Sequence, residues 1–417
     1  MWRRSLLGVL LIAFSAFFAF GPTGAQGGAD AWTYYDLNMR SGPGASYEVI
    51  TLLPSGTGLL LEARDADAYW VLGHTEDGTF RGWVVFSYLE TRAELNVIGL
   101  PTSEEVVNAA APAAGGSAAD ASAQPVNGAL DSKTLVYSTG HSEYYRISYW
   151  SDGLRINGFI GYPTGDGPFP AIIYNRGGTW DTGRLTGREL VPFVESGYVA
   201  VGSQYRGNAG SGGNEQFGWG EVNDVLNLIP LLKSMPNVDA NRIGMMGGSR
   251  GGMVTYMALK EQTMGGTYDI KAAVTVGGIA DLFMWAEQRP HIVEDVYLPL
   301  IGAAPADAYE LYQMRSAVYW PELINTPLLL LHGEADTEVS VEQSRKLYNL
   351  LLRAGKPVQL ITYPGDDHPL SGQLGGYPPA QRFFATYLSA PGDPDRQFDS
   401  HWTDINAVST WFAVNPQ

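Results

Sequence analysis

The hydrophobic rhythm of this chain changes twice along its length. From Ala31 to about Thr91, short apolar stretches such as Tyr47-Glu48-Val49-Ile50, Gly58-Leu59-Leu60-Leu61 and Gly82-Trp83-Val84-Val85 alternate with turns rich in Gly, Pro, Ser and Asp. That alternation predicts a small all-β module over residues 31–91. Over 100–128 large apolar side chains almost vanish and Ala, Gly, Ser and Pro take over, as in Ala109-Ala110-Ala111-Pro112-Ala113-Ala114-Gly115-Gly116, so this segment reads as a linker. Over 129–390 the pattern becomes continuous apolar runs, at 171–174, 198–201, 243–246, 272–276, 328–331 and 358–363, with amphipathic segments between them at 190–195, 221–233, 251–260 and 341–354. Strands apolar on both faces need cover on both faces, so this region is expected to fold as a doubly wound, mostly parallel α/β sheet. Ser151-Asp152-Gly153, between two alternating runs, predicts a leading antiparallel hairpin. The tail, 391–417, carries Trp402 and Trp411 but no pattern with a functional meaning.

Composition narrows the function. The 417 residues are 45% hydrophobic and 12% aromatic, enough for well-filled cores. A formal net charge of −17 sets the chain against polyanions, and no nucleic-acid partner is expected. Arg3-Arg4 precede a mostly apolar run from Leu6 to Phe20, followed by Gly21-Pro22 and Thr23-Gly24-Ala25. The run is shorter than the ~20 residues of a membrane span, which predicts a signal peptide over 1–25, cut after Ala25, and a secreted, periplasmic or cell-envelope location. With no cysteine, the exported chain has neither disulfides nor thiolate chemistry.

The chemistry begins at Met245-Met246-Gly247-Gly248-Ser249-Arg250-Gly251-Gly252, an apolar strand running into a glycine turn with serine at its tip. In a chain with 51 glycines such a match arises by chance roughly 0.4 times, so context must carry it. Two later apolar runs supply that context: 328–331 ends in His332-Gly333-Glu334-Ala335-Asp336, and 358–363 ends in Pro364-Gly365-Asp366-Asp367-His368. Reactive groups collect at the carboxyl ends of strands in such sheets, and the order Ser, Asp, His is that of α/β-hydrolases. Ser249 needs a base to take its proton, which His368 would supply. Asp336 would orient the imidazole and stabilise its cation. An oxyanion needs two donors, one from the Arg250 backbone and one from the loop after Tyr174. The plainer alternatives are a solvent-facing serine turn at Ser249 and a helix cap at Asp336, with Glu334 as competitor for the acid. His332 sits in a buried strand end, and His141, His291 and His401 lack a strand-end setting. Asp366-Asp367-His368 has no second ligand set, so no metal is expected, and no cofactor.

Two resemblances follow from these residues. Leu37-Asn38-Met39-Arg40-Ser41-Gly42-Pro43-Gly44, Tyr47, Leu53-Pro54-Ser55-Gly56, Tyr69-Trp70, Gly82-Trp83-Val84 and Tyr88-Leu89 resemble the bacterial Src-homology-3-like family. This implies a small barrel, with either a cell-wall or peptide ligand or a spacing role. Asn175-Arg176-Gly177-Gly178, Tyr205-Arg206-Gly207, the serine turn, His332-Gly333-Glu334-Ala335-Asp336-Thr337-Glu338-Val339 and Asp367-His368 resemble the motifs of the prolyl oligopeptidase family of serine peptidases. That resemblance implies an α/β-hydrolase fold with Ser249, Asp336 and His368 as the triad. Arg176 stands where relatives carry Tyr or His, so the second oxyanion donor is either the Gly177 backbone or the Arg176 guanidinium. Arg176, Arg206 and Tyr205 are candidates for substrate contact, with structural ion pairs as the alternative. Pro369 replaces the usual glycine after the base, and the family's β-propeller is absent, so size selection of oligopeptides is not implied. The leading expectation is an exported serine peptidase acting on peptides. Its rivals are an esterase using the same triad on small esters and an envelope-binding protein with an inactive hydrolase domain.

Overall fold

The two hydrophobic rhythms become two separate sheets. The computed structural model describes residues 28–33, 37–44, 47–54, 56–66, 70–92, 95–107, 125–373 and 378–388. The expected signal peptide over 1–25, the larger part of the linker over 100–128, the tail over 391–417, and Ser55 and Tyr69 of the first resemblance lie outside them. Among the described residues no helix is long and apolar enough to cross a membrane.

The N-terminal sheet comprises β1 (Ala31–Thr33), β2 (Leu37–Arg40), β3 (Val49–Leu53), β4 (Gly58–Arg64), β5 (Trp70–Thr75), β6 (Arg81–Val85) and β7 (Leu89–Thr91). They are arranged β3-β2-β6-β5-β4-β1-β7, with antiparallel pairings. Alternation sends Leu37, Met39, Leu59, Val71 and Val84 to one core and Trp70, Leu72, Trp83 and Val85 to another. Trp83 is fully buried, and its indole N–H donates to the Glu105 carbonyl at 2.7 Å, so it serves the packing of the module.

The larger sheet comprises β8 (Leu130–Ser138), β9 (Ser142–Ser151), β10 (Leu154–Pro163), β11 (Phe169–Asn175), β12 (Val199–Ser203), β13 (Val238–Gly248), β14 (Ile270–Val276), β15 (Leu328–Gly333) and β16 (Val358–Tyr363). Its order is β16-β15-β14-β13-β11-β12-β10-β9-β8. The expected hairpin joins β9 to β10, with Ser151 opposite Leu154 and both intervening residues at positive φ, Asp152 at 52° and Gly153 at 74°. This is the geometry that suits the twist of antiparallel strands. From β12 across to β16 every neighbouring pair is parallel.

The helices are α1 (Val191–Val194), α2 (Gly220–Leu226), α3 (Leu228–Lys233), α4 (Arg250–Met264), α5 (Leu282–Gln288), α6 (Leu298–Leu300), α7 (Tyr309–Arg315), α8 (Glu342–Arg353) and α9 (Pro378–Leu388). They cover both faces, as the four-leucine run of β15 requires. Leu328 and Leu330 pack with Met253, Leu347 and Leu351 on one side, and Leu329 and Leu331 with Val191, Phe383 and Phe384 on the other. The one helix expected over 221–233 is two, with Asn227 between them. Pro230 has no N–H for the Leu226 carbonyl, so the hydrogen-bond ladder breaks there.

Chain order reverses at the centre of this sheet. β11 leads to β12 on one side, while β13 lies on its other side, so the loops leaving β11 and β13 part above their carboxyl ends. That crevice is where an open α/β sheet places a site. Because Leu330 is fully buried between layers, Leu330→Ala should cost about 2–5 kcal/mol in urea unfolding, with no loss of secondary structure in the folded form.

Candidate active site

Ser249 lies between the end of β13 and the start of α4, at φ 55° and ψ −123°, a backbone state costly for any residue with a Cβ. Glycine permits the turn: a Cβ on Gly251 would lie 2.1 Å from the Asn175 carbonyl oxygen, so α4 starts in backbone contact with the end of β11. The Ser249 amide donates to the Val276 carbonyl at 2.8 Å, tying the turn to the end of β14. The next residue, Gly277, touches the acid and the base. A Cβ there would sit 3.0 Å from His368 Nδ1 and 3.1 Å from Asp336 Oδ2. Serine, aspartate and histidine, read from three distant segments, therefore meet around Val276 and Gly277, where β14 ends. Among the described residues Ser249 Oγ makes no hydrogen bond to His368; such bonds often tighten only when substrate is present.

Asp336 is the most heavily bonded carboxylate of the site. His368 Nδ1 donates to Oδ2 at 2.6 Å, and the Glu338 and Val339 amides donate to Oδ1 at 2.8 Å each. A second imidazole also reaches it. His332 Nε2 lies 3.2 Å from Oδ2 and 2.8 Å from the Val339 carbonyl, while its Nδ1 lies 2.7 Å from Ser344 Oγ. Two acceptors around Nε2 place its hydrogen there, with Ser344 donating to Nδ1. Burial pushes the Asp336 carboxyl up, but the hydrogen bonds from His332, His368 and the Val339 amide outweigh it and hold the group well below the usual carboxylate range. Donation through Nδ1 leaves His368 Nε2 as the acceptor. Glu334, the competing acid, faces solvent and binds Arg345 at 3.0 Å and the Thr362 hydroxyl at 2.8 Å. Asp366 braces the loop that carries His368, accepting from the Asp367 and Gly372 amides at 3.0 and 2.9 Å. With Pro369 following it, His368 still keeps its bond to Asp336.

The arginines near the serine serve the loops. Arg176 is 1% exposed, and its guanidinium donates to the carbonyls of Gln204 at 3.2 Å, Trp180 at 2.7 Å and Thr182 at 2.8 Å. Tyr205 is fully buried, with its hydroxyl on the Arg176 carbonyl at 3.1 Å. Arg206 binds Asp224 at 2.9 Å and Asp152 at 3.0 Å. These three substrate-contact candidates thus spend their polar groups inside the chain. The Arg250 side chain pairs with Glu215, with Glu221 at 2.8 Å and with the Gly178 carbonyl at 2.9 Å. Gly177 comes close to the serine: a Cβ on it would lie 3.2 Å from Ser249 Cβ. The amides of Gly177 and Arg250 have no hydrogen-bond partner among the described residues.

Sequence reasoning did not single out Glu215, Glu221 or His332 as parts of this network. Only His332 left a trace, as a polar ring ending a leucine run. The aromatic stretch from Asp281 to Tyr312 packs on itself and reaches the acid-bearing loop at Glu338. Asp281 caps α5 through the Phe283 and Met284 amides, Phe283 lies 4.7 Å from Tyr309, and the Trp285 indole donates to Glu338 O at 2.9 Å. Among the described residues no group of three or more His, Cys, Asp or Glu could hold a metal ion.

A depressed folded pKa stabilises at pH above the ordinary carboxylate value of about 3.9, and that stability is lost as pH falls through the folded value. Urea midpoints measured from about pH 7 to about pH 2 should therefore fall on the acid side, and less steeply in Asp336→Asn than in the parent.

The prolyl oligopeptidase family profile matches residues 185–389, a span holding the serine turn, Asp336 and His368. The uncharacterized peptidase YtmA of Bacillus subtilis is 33% identical over 228 residues, 55% of this chain and 87% of YtmA. YuxL, another uncharacterized peptidase of that organism, is 29% identical over 60% of this chain but only 38% of its own length, and dipeptidyl-peptidase 5 of Porphyromonas gingivalis is 27% identical over 30% of its length. The chain thus spans well under half of these two longer relatives. In fold, a puromycin-hydrolyzing peptidase of Mycobacterium tuberculosis superposes with a TM-score of 0.51 at 20% identity, over 88% of this chain and 55% of that one. With a third of the aligned residues identical across most of YtmA, and with the family profile covering the turn, Asp336 and His368, the chain belongs to the prolyl oligopeptidase family and is a serine hydrolase.

Proposed function

We propose that the chain is an exported serine peptidase that forms an acyl-enzyme on Ser249, with His368 as base and Asp336 as orienting acid. The observation that carries this is the 2.6 Å hydrogen bond from His368 Nδ1 to Asp336, set against Gly277 and so beside the serine turn. Ser249 Oγ attacks the scissile carbonyl as its proton passes to His368 Nε2. The oxyanion takes the unpartnered amides of Arg250 and Gly177, while the Arg176 guanidinium stays on its loop carbonyls. Collapse expels the amine, which leaves with the proton held by His368. Water then gives a proton to the same nitrogen and attacks the acyl-serine, releasing the acid and restoring the serine. Peptide substrates are supported by relatives whose names are peptidase, dipeptidyl-peptidase 5 and acylamino-acid-releasing enzyme. Export is supported by Arg3-Arg4, the apolar run and the small residues ending at Ala25.

A fluorophosphonate probe should label the chain and fail to label Ser249→Ala; equal labelling of both would remove Ser249 from the mechanism. Asp336→Asn should lower kcat by about 10⁴ through the wrong imidazole tautomer. On matched peptidyl amides and acyl esters, cleavage of esters alone would turn the peptidase into an esterase. Sequencing the N-terminus of the exported protein should begin at Gln26.

A further inference from the structure

The β module is packed against the catalytic domain at a place that leads to the serine. Tyr88, in the turn after β6, lies 3.9 Å ring to ring from Trp219. Beside it Arg40 of β2 is buried; loss of hydration works against its cation, while the charges of Asp152 and Glu261 across the junction work in its favour. Beside the ring contact, Leu37, Trp70, Val222 and Met257 line a cavity of about 60 Å³, and further along the junction a larger one of about 860 Å³ opens between Ile50 and Leu52 on one side and Ile229 and Glu261 on the other.

Trp219 belongs to a segment, 215–221, that is bonded at every turn. Arg315 lies over its ring at 4.9 Å and donates to the Phe217 carbonyl at 3.0 Å. Glu221 accepts from the Gln216 amide at 2.6 Å and the Trp219 amide at 2.9 Å, and the same carboxylate holds Arg250. Glu215, at the other end, holds Arg250 and accepts from the Trp180 amide at 2.9 Å. Arg250 is the residue after Ser249, and its side chain donates to Gly178 in the oxyanion loop.

We propose that the β module is a positioning part of the active site: Tyr88, seated on Trp219, holds the 215–221 segment whose two carboxylates fix Arg250 and the loop around Gly177. The inference rests on the reading of Ser249 as nucleophile. Tyr88 and Trp219 touch no reacting atom. They act by setting where the two oxyanion amides stand, and small misplacements of such donors are costly.

The test uses the full chain and two readouts: the second-order rate of Ser249 labelling by a fluorophosphonate, and amide hydrogen exchange over 176–183 and 215–221. Tyr88→Ala and Trp219→Ala should each label about tenfold more slowly and exchange faster in both segments. The double variant should be no slower than Trp219→Ala alone, because that change already removes the Tyr88 contact along with the Arg315 contact on the same ring. Tyr88→Phe, which keeps the ring, should label at close to the parent rate. Parent-like labelling of both alanine variants, or additive losses in the double one, would overturn the proposal. A parent that is not labelled defeats the nucleophile reading alone. Exchange then decides the coupling, which unchanged rates in Tyr88→Ala would refute.

Discussion

The close approach of two backbones governs this molecule. The start of α4 lies so near the end of β11 that a single methyl group on Gly251 would collide with the Asn175 carbonyl. That contact brings the turn carrying Ser249 against the loop carrying Gly177, and it exists because the sheet reverses its strand order between β11 and β13. Side chains at the crossing would wedge the two loops apart.

Around that crossing the protein buries charge on a scale that needs explanation. Arg176, Arg250 and Arg315 are each almost wholly inaccessible, as are Glu221 and Asp224. Buried ion pairs contribute little net stability against apolar side chains of the same size, but leaving one partner unpaired is severe. Such a network therefore tolerates one arrangement of its loops and penalises others. Arg176 grips its own loop through backbone carbonyls, and Arg250 is held by two carboxylates from the 215–221 segment. The loop that carries Gly177 is held by guanidinium groups whose charge is spent inside the protein.

The acid follows the same logic. Asp336 accepts from two backbone amides and two imidazoles, so the carboxylate bonded to His368 is held from several directions. His332 reaches the same oxygen, Oδ2, that accepts from His368, and so adds a second hold on this carboxylate.

The leucine run of β15, the hairpin at Asp152-Gly153 and the glycine turn at Ser249 were legible because strand burial, turn conformation and close approach each restrict which residues fit locally. Asp336 and His368 were legible because strand ends are where such sheets gather reactive groups. The sequence by itself thus determined the class of fold, the elements of the sheet and the three residues of the candidate triad. The partners of Arg176, Arg206 and Arg250, the second imidazole on Asp336 and the seating of Tyr88 on Trp219 join residues far apart in the chain. No local pattern encodes a contact between distant loops, since a guanidinium suits a substrate carboxylate, an internal one or a backbone carbonyl equally well. Tertiary structure decided among these, by which groups it left buried together.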